Sequence, residues 1–114
     1  TLPNAALARV ELGKVTGYLL NPAHRFGAAK ARFFQGFGFS IQAPGELAWA
    51  LIGVARTGDV VRVWRSPYAT RYHVDGPLRC PTGRRPRVRT VWQIDLGAIA
   101  PRLITAYPLE EDTP

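Results

Sequence analysis

A chain of 114 residues with 46% hydrophobic content and three tryptophans is too apolar to be disordered and is sized for one domain with one modest core. It has no apolar run near the roughly 20 residues of a membrane span, no signal-peptide pattern, and a single Cys80, which excludes an internal disulfide. The net charge of +7 is segregated: the segment Arg62–Arg102 holds nine arginines (Arg62, Arg65, Arg71, Arg79, Arg84, Arg85, Arg87, Arg89, Arg102) against two acids, Asp75 and Asp95, and the rest of the chain is neutral.

The N-terminal half reads as helices. Leu2 to Val10 is an entry segment, with Pro3-Asn4 as a turn or helix start. Leu12, Val15 and Leu19 recur at helical spacing over Glu11–Leu20, and Asn21-Pro22 stops that run. A second helix is predicted from about Gly27 to Gln35, with Ala28, Ala31 and Phe34 as its apolar stripe and Gly36 and Gly38 as its end. Ala43-Pro44-Gly45-Glu46 opens a third, with Pro in the first turn, followed by Leu47, Ala48, Leu51, Val54 and Ala55. Gly58-Asp59 closes this half.

The C-terminal half reads as four strands, Val60–Arg65, Thr70–Leu78, Arg87–Asp95 and Leu103–Tyr107, joined by turn-rich connectors. The expectation is an α+β fold: helices over about residues 1–58, packed on a four-stranded antiparallel meander over about 59–108, then an acidic tail, 109–114. Alternation sorts the strand residues by face. Val88, Thr90, Trp92 and Ile94 share the core side. Arg87, Arg89, Val91, Gln93 and Asp95 share the other, as do Arg71 and His73 of the preceding strand. A folded, arginine-bearing open face points to a polyanion, RNA first.

Cys80 beside Pro81 reads as a free thiol of a reducing compartment, the cytoplasm. Thr1 in a chain without Met is what removal of an initiator Met leaves, which predicts a complete small protein. There is no phosphate-binding loop, no dinucleotide motif and no zinc spacing. Two histidines, one cysteine and scattered acids supply neither a four-ligand zinc site nor paired carboxylates, so no metal or other cofactor is expected.

The sharpest local pattern is Tyr18-Leu-Leu-Asn-Pro-Ala-His24-Arg-Phe-Gly27-Ala-Ala-Lys30-Ala-Arg-Phe-Phe34. Read structurally, His24 caps a turn, Gly27 permits a tight bend and Lys30 is a solvated helix residue. The segment also resembles the YLLNPxHPxGxxKAxFF signature of an uncharacterised bacterial family, the domain of unknown function 6883. Leu2-Pro3-Asn4-Ala5, Lys14, Thr16-Gly17-Tyr18, Tyr72-x-Val74-x-Gly76-Pro77-Leu78, Val88-Arg89-Thr90-Val91-Trp92 and Pro101-Arg102-Leu103-Ile104-Thr105-Ala106-Tyr107-Pro108 fit the same pattern. Arg25 departs from it, standing where the family has Pro. The resemblance implies a small toxin-like protein with an acidic antitoxin as partner. Its order of helices then four strands is similar to the barnase/RelE-like ribonucleases, which need no metal.

Such cleavage uses the 2′-hydroxyl of RNA as nucleophile. It needs a proton acceptor, a proton donor and cations for the charged phosphorus. On that expectation His24, Lys30, Arg71 and Tyr107 form the candidate catalytic group. His24 is the acid/base, and Lys30 and Arg71 stabilise phosphate charge. Arg87, Arg89, Arg102, Thr105 and His73 are the candidate RNA-binding residues. The alternatives are a basic RNA- or DNA-binding module without turnover, and an antitoxin or immunity protein.

Overall fold

The computed structural model describes residues 2–109, so the acidic stretch Glu110-Glu111-Asp112 lies outside it. Pro3-Asn4 turns the chain into a 3-10 turn, Ala5–Leu7, with Asn4 at φ 56. Asn tolerates this left-handed region better than most residues. Helix α1, Leu12–Lys14, widens into a π-helical stretch, Val15–Leu19, closed by a Leu20 N–H to Val15 carbonyl bond of 2.8 Å. The wider turn shifts the apolar phase by one residue. Val15, Leu19 and Leu20 are buried, while Leu12, which simple helical spacing groups with them, is half exposed.

Helix α2, Ala28–Gly36, buries Ala31 and Phe34, and the chain leaves it through Gly38 at φ +96. Helix α3, Pro44–Thr57, starts with Pro in its first turn and buries Leu47, Ala48, Leu51, Val54 and Ala55. Gly58 follows because the chain there runs against the sheet. A Cβ at Gly58 would sit 2.6 Å from the Asp75 carbonyl oxygen and 2.7 Å from that of Val54.

Strands β1 (Asp59–Arg65), β2 (Ala69–Pro77), β3 (Arg87–Asp95) and β4 (Arg102–Pro108) form an antiparallel sheet in the order β1-β2-β3-β4. Helix α3 packs on β2 and β3, and α2 on β4. The covered face carries Val74, Val88, Trp92, Leu103 and Ala106, joined to the helical residues in one core. Trp92 is fully buried; its indole N–H donates to Thr90 Oγ1 (2.7 Å), and that hydroxyl donates to the Val74 carbonyl (2.9 Å). This relay satisfies a buried tryptophan whose loss to alanine would cost about 3–5 kcal/mol.

The two sheet edges differ. Along β4, Arg9 pairs with the strand start, its N–H bonding the Pro101 carbonyl and its carbonyl the Leu103 N–H. Along β1 only β2 is paired among the described residues, and a bulge interrupts the strand between Val60 and Arg62.

Candidate functional site

The strand register lays the uncovered face out in three rows. The first runs Trp64–Arg71–Gln93–Arg102, the second Arg62–His73–Val91–Thr105, and the third Asp59–Asp75–Arg89–Tyr107. Bulges in β1 and β4 keep the rows in phase across all four strands. A cleft of about 610 Å³ opens over the first two rows and part of the third, lined by Trp64, Arg71, His73, Val91, Gln93, Thr105 and Tyr107, with Arg65, Ser66, Ala69 and Ile104 at its rim. Arg71, His73, Thr105 and Tyr107 thus share one cleft, and Val91, expected on this face, is covered there between His73 and Thr105.

The arginines divide by what holds them. Arg89 meets Asp75 in a two-point ion pair, both bonds 2.8 Å, with side chains 29% and 8% exposed. The hydrogen bonds of Asp75, and of Tyr107 beside it, push the Arg89 guanidinium above its ordinary value. Arg102 is clamped on Asp95, whose carboxyl the guanidinium and the Gln93 amide hold down at about 2. Both acids of the basic segment are therefore spent inside it. The other seven arginines make no ion pair among the described residues. Arg71 is oriented instead by a neutral partner, donating to Gln93 Oε1 at 2.6 and 3.1 Å, so its charge stays available. Arg87 is exposed at the hairpin end of β3 and lies outside the cleft.

His73 is the cleft's histidine. Its ring meets Trp64 edge-on at 4.4 Å between centroids, Arg62 stacks over the same indole at 4.2 Å, and its Nδ1 is buried without a hydrogen-bond partner. Burial, then the charges of Arg89, Arg62 and Arg71, outweigh Asp75 and lower its pKa from the ordinary histidine value, which favours the neutral ring.

Tyr18 of the helical half reaches this face. Its hydroxyl bonds Thr105 Oγ1 at 3.0 Å, extending the second row around the β4 edge. Lys30 and Lys14 place their ammonium groups 5.4 and 5.7 Å from the Tyr18 ring centre, and His24 packs edge-on against that ring at 4.8 Å. Burial would raise the Tyr18 phenol, but the hydrogen bonds of Thr105 and Lys30 and the charges of Lys30 and Lys14 together bring it below its usual value. Gly27 makes this packing possible, because a Cβ there would strike the Tyr18 carbonyl oxygen and ring. His24 uses Nδ1 to accept the Phe26 and Gly27 N–H groups, both at 3.0 Å. A neutral ring bonded in this way carries its proton on Nε2 and presents a donor there.

The predicted residues therefore form two groups linked at Tyr18–Thr105: His24 and Lys30 on the helical side, and Arg71, His73, Thr105 and Tyr107 in the cleft. Sequence reasoning assigned no role to Tyr18, Asp75, Gln93 or Trp64. Tyr18 stood in the quoted motif, and Asp75 was one of only two acids in the basic block; both were signals. Among the described residues no group of three or more His, Cys, Asp or Glu side chains converges as metal ligands, and no helix is long and apolar enough to cross a membrane.

No curated protein matches the chain. The family model described as "Domain of unknown function (DUF6883)" matches residues 1–110. Among solved structures, the fold is shared with a chain of a contact-dependent growth inhibition toxin–immunity protein complex from Klebsiella pneumoniae 342. The TM-score is 0.72 at 15% identity, over 94% of this chain and 97% of that one. At that identity the likeness is one of fold.

Proposed function

The chain belongs to the DUF6883 family, and we propose that it is a cytoplasmic ribonuclease toxin domain that cuts RNA in the cleft by 2′-hydroxyl attack, without a metal. The observation that carries this reading is the second row: a neutral histidine, His73, stands two strand spacings, about 10 Å, from Thr105, and the Tyr18 bond joins Thr105 to Lys30 and His24. His73 accepts the 2′-hydroxyl proton, because a ring whose neutral form is favoured is ready to do so. Arg71, fixed by Gln93, stabilises the charged phosphorus. Tyr18, bonded to the cleft residue Thr105 and with a phenol made more acidic by Thr105 and then Lys30, protonates the departing 5′-oxygen, and Tyr107 and Thr105 position the substrate. His24 acts from Nε2 as a donor and through its packing on Tyr18, in place of the acid/base role its position in the sequence suggests. Arg89 and Arg102 serve the site as ion-paired struts.

The test is labelled RNA incubated with the purified chain in the presence of a chelator. Products ending in 2′,3′-cyclic phosphate are expected, and H73A or R71A should slow their formation by at least about a hundredfold. Intact RNA at high protein concentration overturns the reading. Salt-sensitive binding without turnover would instead establish a binding module.

That the structural neighbour is a chain of a toxin–immunity protein complex supports a protein partner as well. We infer an acidic antitoxin or immunity protein that covers Arg62, Arg65 and Arg71 at the cleft. Co-purification with such a partner, and loss of RNA cleavage on binding it, are the expected results.

A further inference from the structure

A second recess lies away from the cleft, on the helical side of the sheet. One wall is α3, contributing Trp49, Ala50, Gly53 and Thr57; the other is the β2–β3 connection, contributing Pro77, Arg79 and Arg85, around about 500 Å³. Trp49 is 68% exposed, a large indole that the core does not use. Gly53, one turn further along, leaves the floor open, since a Cβ there meets nothing within 4 Å. Among the described residues no acidic side chain lines the recess. The positive charge continues past it, with Arg84 over the Phe37 ring at 5.7 Å. Arg79, Arg84 and Arg85 are exposed and make no ion pair among the described residues.

We propose that this groove is a second binding site for single-stranded RNA, in which a base stacks on Trp49 and the flanking phosphates meet Arg79 and Arg85. The proposal rests on the reading that RNA is the ligand of this chain. An exposed aromatic face beside several cations is how proteins hold unpaired strands without reading sequence. Pro77 lies four residues along β2 from His73, about 13 Å. The groove also lies on the opposite side of the sheet from the cleft, so one strand occupies both only by passing around the hairpin end, where Arg87 stands exposed. Long substrates engage both sites; a trinucleotide reaches only the cleft.

The probe is a 12-nucleotide 2′-O-methyl RNA, which lacks the attacking hydroxyl and cannot be cut. Its binding is followed by fluorescence anisotropy at several salt concentrations. W49A is expected to weaken it about five- to a hundredfold. R79A/R85A should lower the slope of log affinity against log salt by about 1.4, from 0.7 per phosphate contact. G53Q, whose side chain enters open space in a helix, obstructs the groove while leaving the fold intact and should weaken binding too. Trinucleotide cleavage should be unchanged in all three. Unchanged affinity for the 12-mer in the folded variants overturns the proposal. So does tighter binding of an acidic peptide lost in the same variants, which would assign the groove to a protein. Uncut RNA combined with groove-dependent binding would refute the ribonuclease reading alone, and cut RNA with groove-independent binding would refute this proposal alone.

Discussion

Replacing Arg89 by alanine tests whether this arginine of the uncovered sheet face, beside the cleft residue Tyr107, is a ligand contact or a strut. The guanidinium meets Asp75 at two bonds of 2.8 Å, and the Asp75 side chain is only 8% exposed. R89A leaves that carboxylate in the sheet without its cation, with Asp59 directly across on β1. Breaking a buried pair from one side costs about 3–5 kcal/mol. Arg89 is 29% exposed, which lets water reach the site and places the cost near the lower end, about 3 kcal/mol. For a domain of this size each kcal/mol moves the melting point by about 4 °C, so R89A should melt about 12 °C below the wild type at pH 7 by circular dichroism. The double variant D75N/R89A should recover part of the loss, because no charge is then stranded. An R89A protein that melts within about 2 °C of the wild type while binding RNA more weakly would refute the reasoning and restore Arg89 as an RNA contact.

Three further outcomes follow from the same geometry. His73 is depressed below 6.5, so the unfolded chain takes up protons first as pH falls; stability is full above about 6.5 and declines below it, and H73Q should show less of this decline in melting curves from pH 7.5 to 5. T90V strands the Trp92 indole N–H and removes the hydroxyl bonded to the Val74 carbonyl, a loss of about 1–3 kcal/mol readable by urea unfolding and tryptophan fluorescence. G27A forces the Tyr18 backbone aside, costing about 1–3 kcal/mol of stability, and should reduce RNA cleavage more than a G13A control, where a Cβ has open space.

The elements were legible because their residues carry strong local signals. The apolar spacing of α3 and the Val88/Thr90/Trp92 alternation of β3 state both type and buried side. The turn-capping reading of His24 was equally local, two and three residues from its partners. What stayed hidden depends on register or on distance along the chain. Arg89 and Asp75 are fourteen residues apart and face each other only because the hairpin aligns them, so an arginine that counted toward a free basic face is in fact neutralised. Tyr18 and Thr105 are 87 residues apart, and no local pattern ties a helical tyrosine to an edge-strand threonine. The π-helical stretch, which turned Leu12 outward, has no residue signature in this segment.

The unpaired edge of β1 has a consequence for how copies of the chain behave together. A strand unpaired on one side among the described residues, with half-exposed valines Val61 and Val63, is a template on which a second copy could build a continuous sheet. Arg62 and Arg65 stand on that strand, and its bulge breaks the even ladder a second strand would need. Like-charge repulsion and the bulge both oppose such pairing, and a polyanion that neutralises those arginines leaves the bulge alone to oppose strand-by-strand polymerisation.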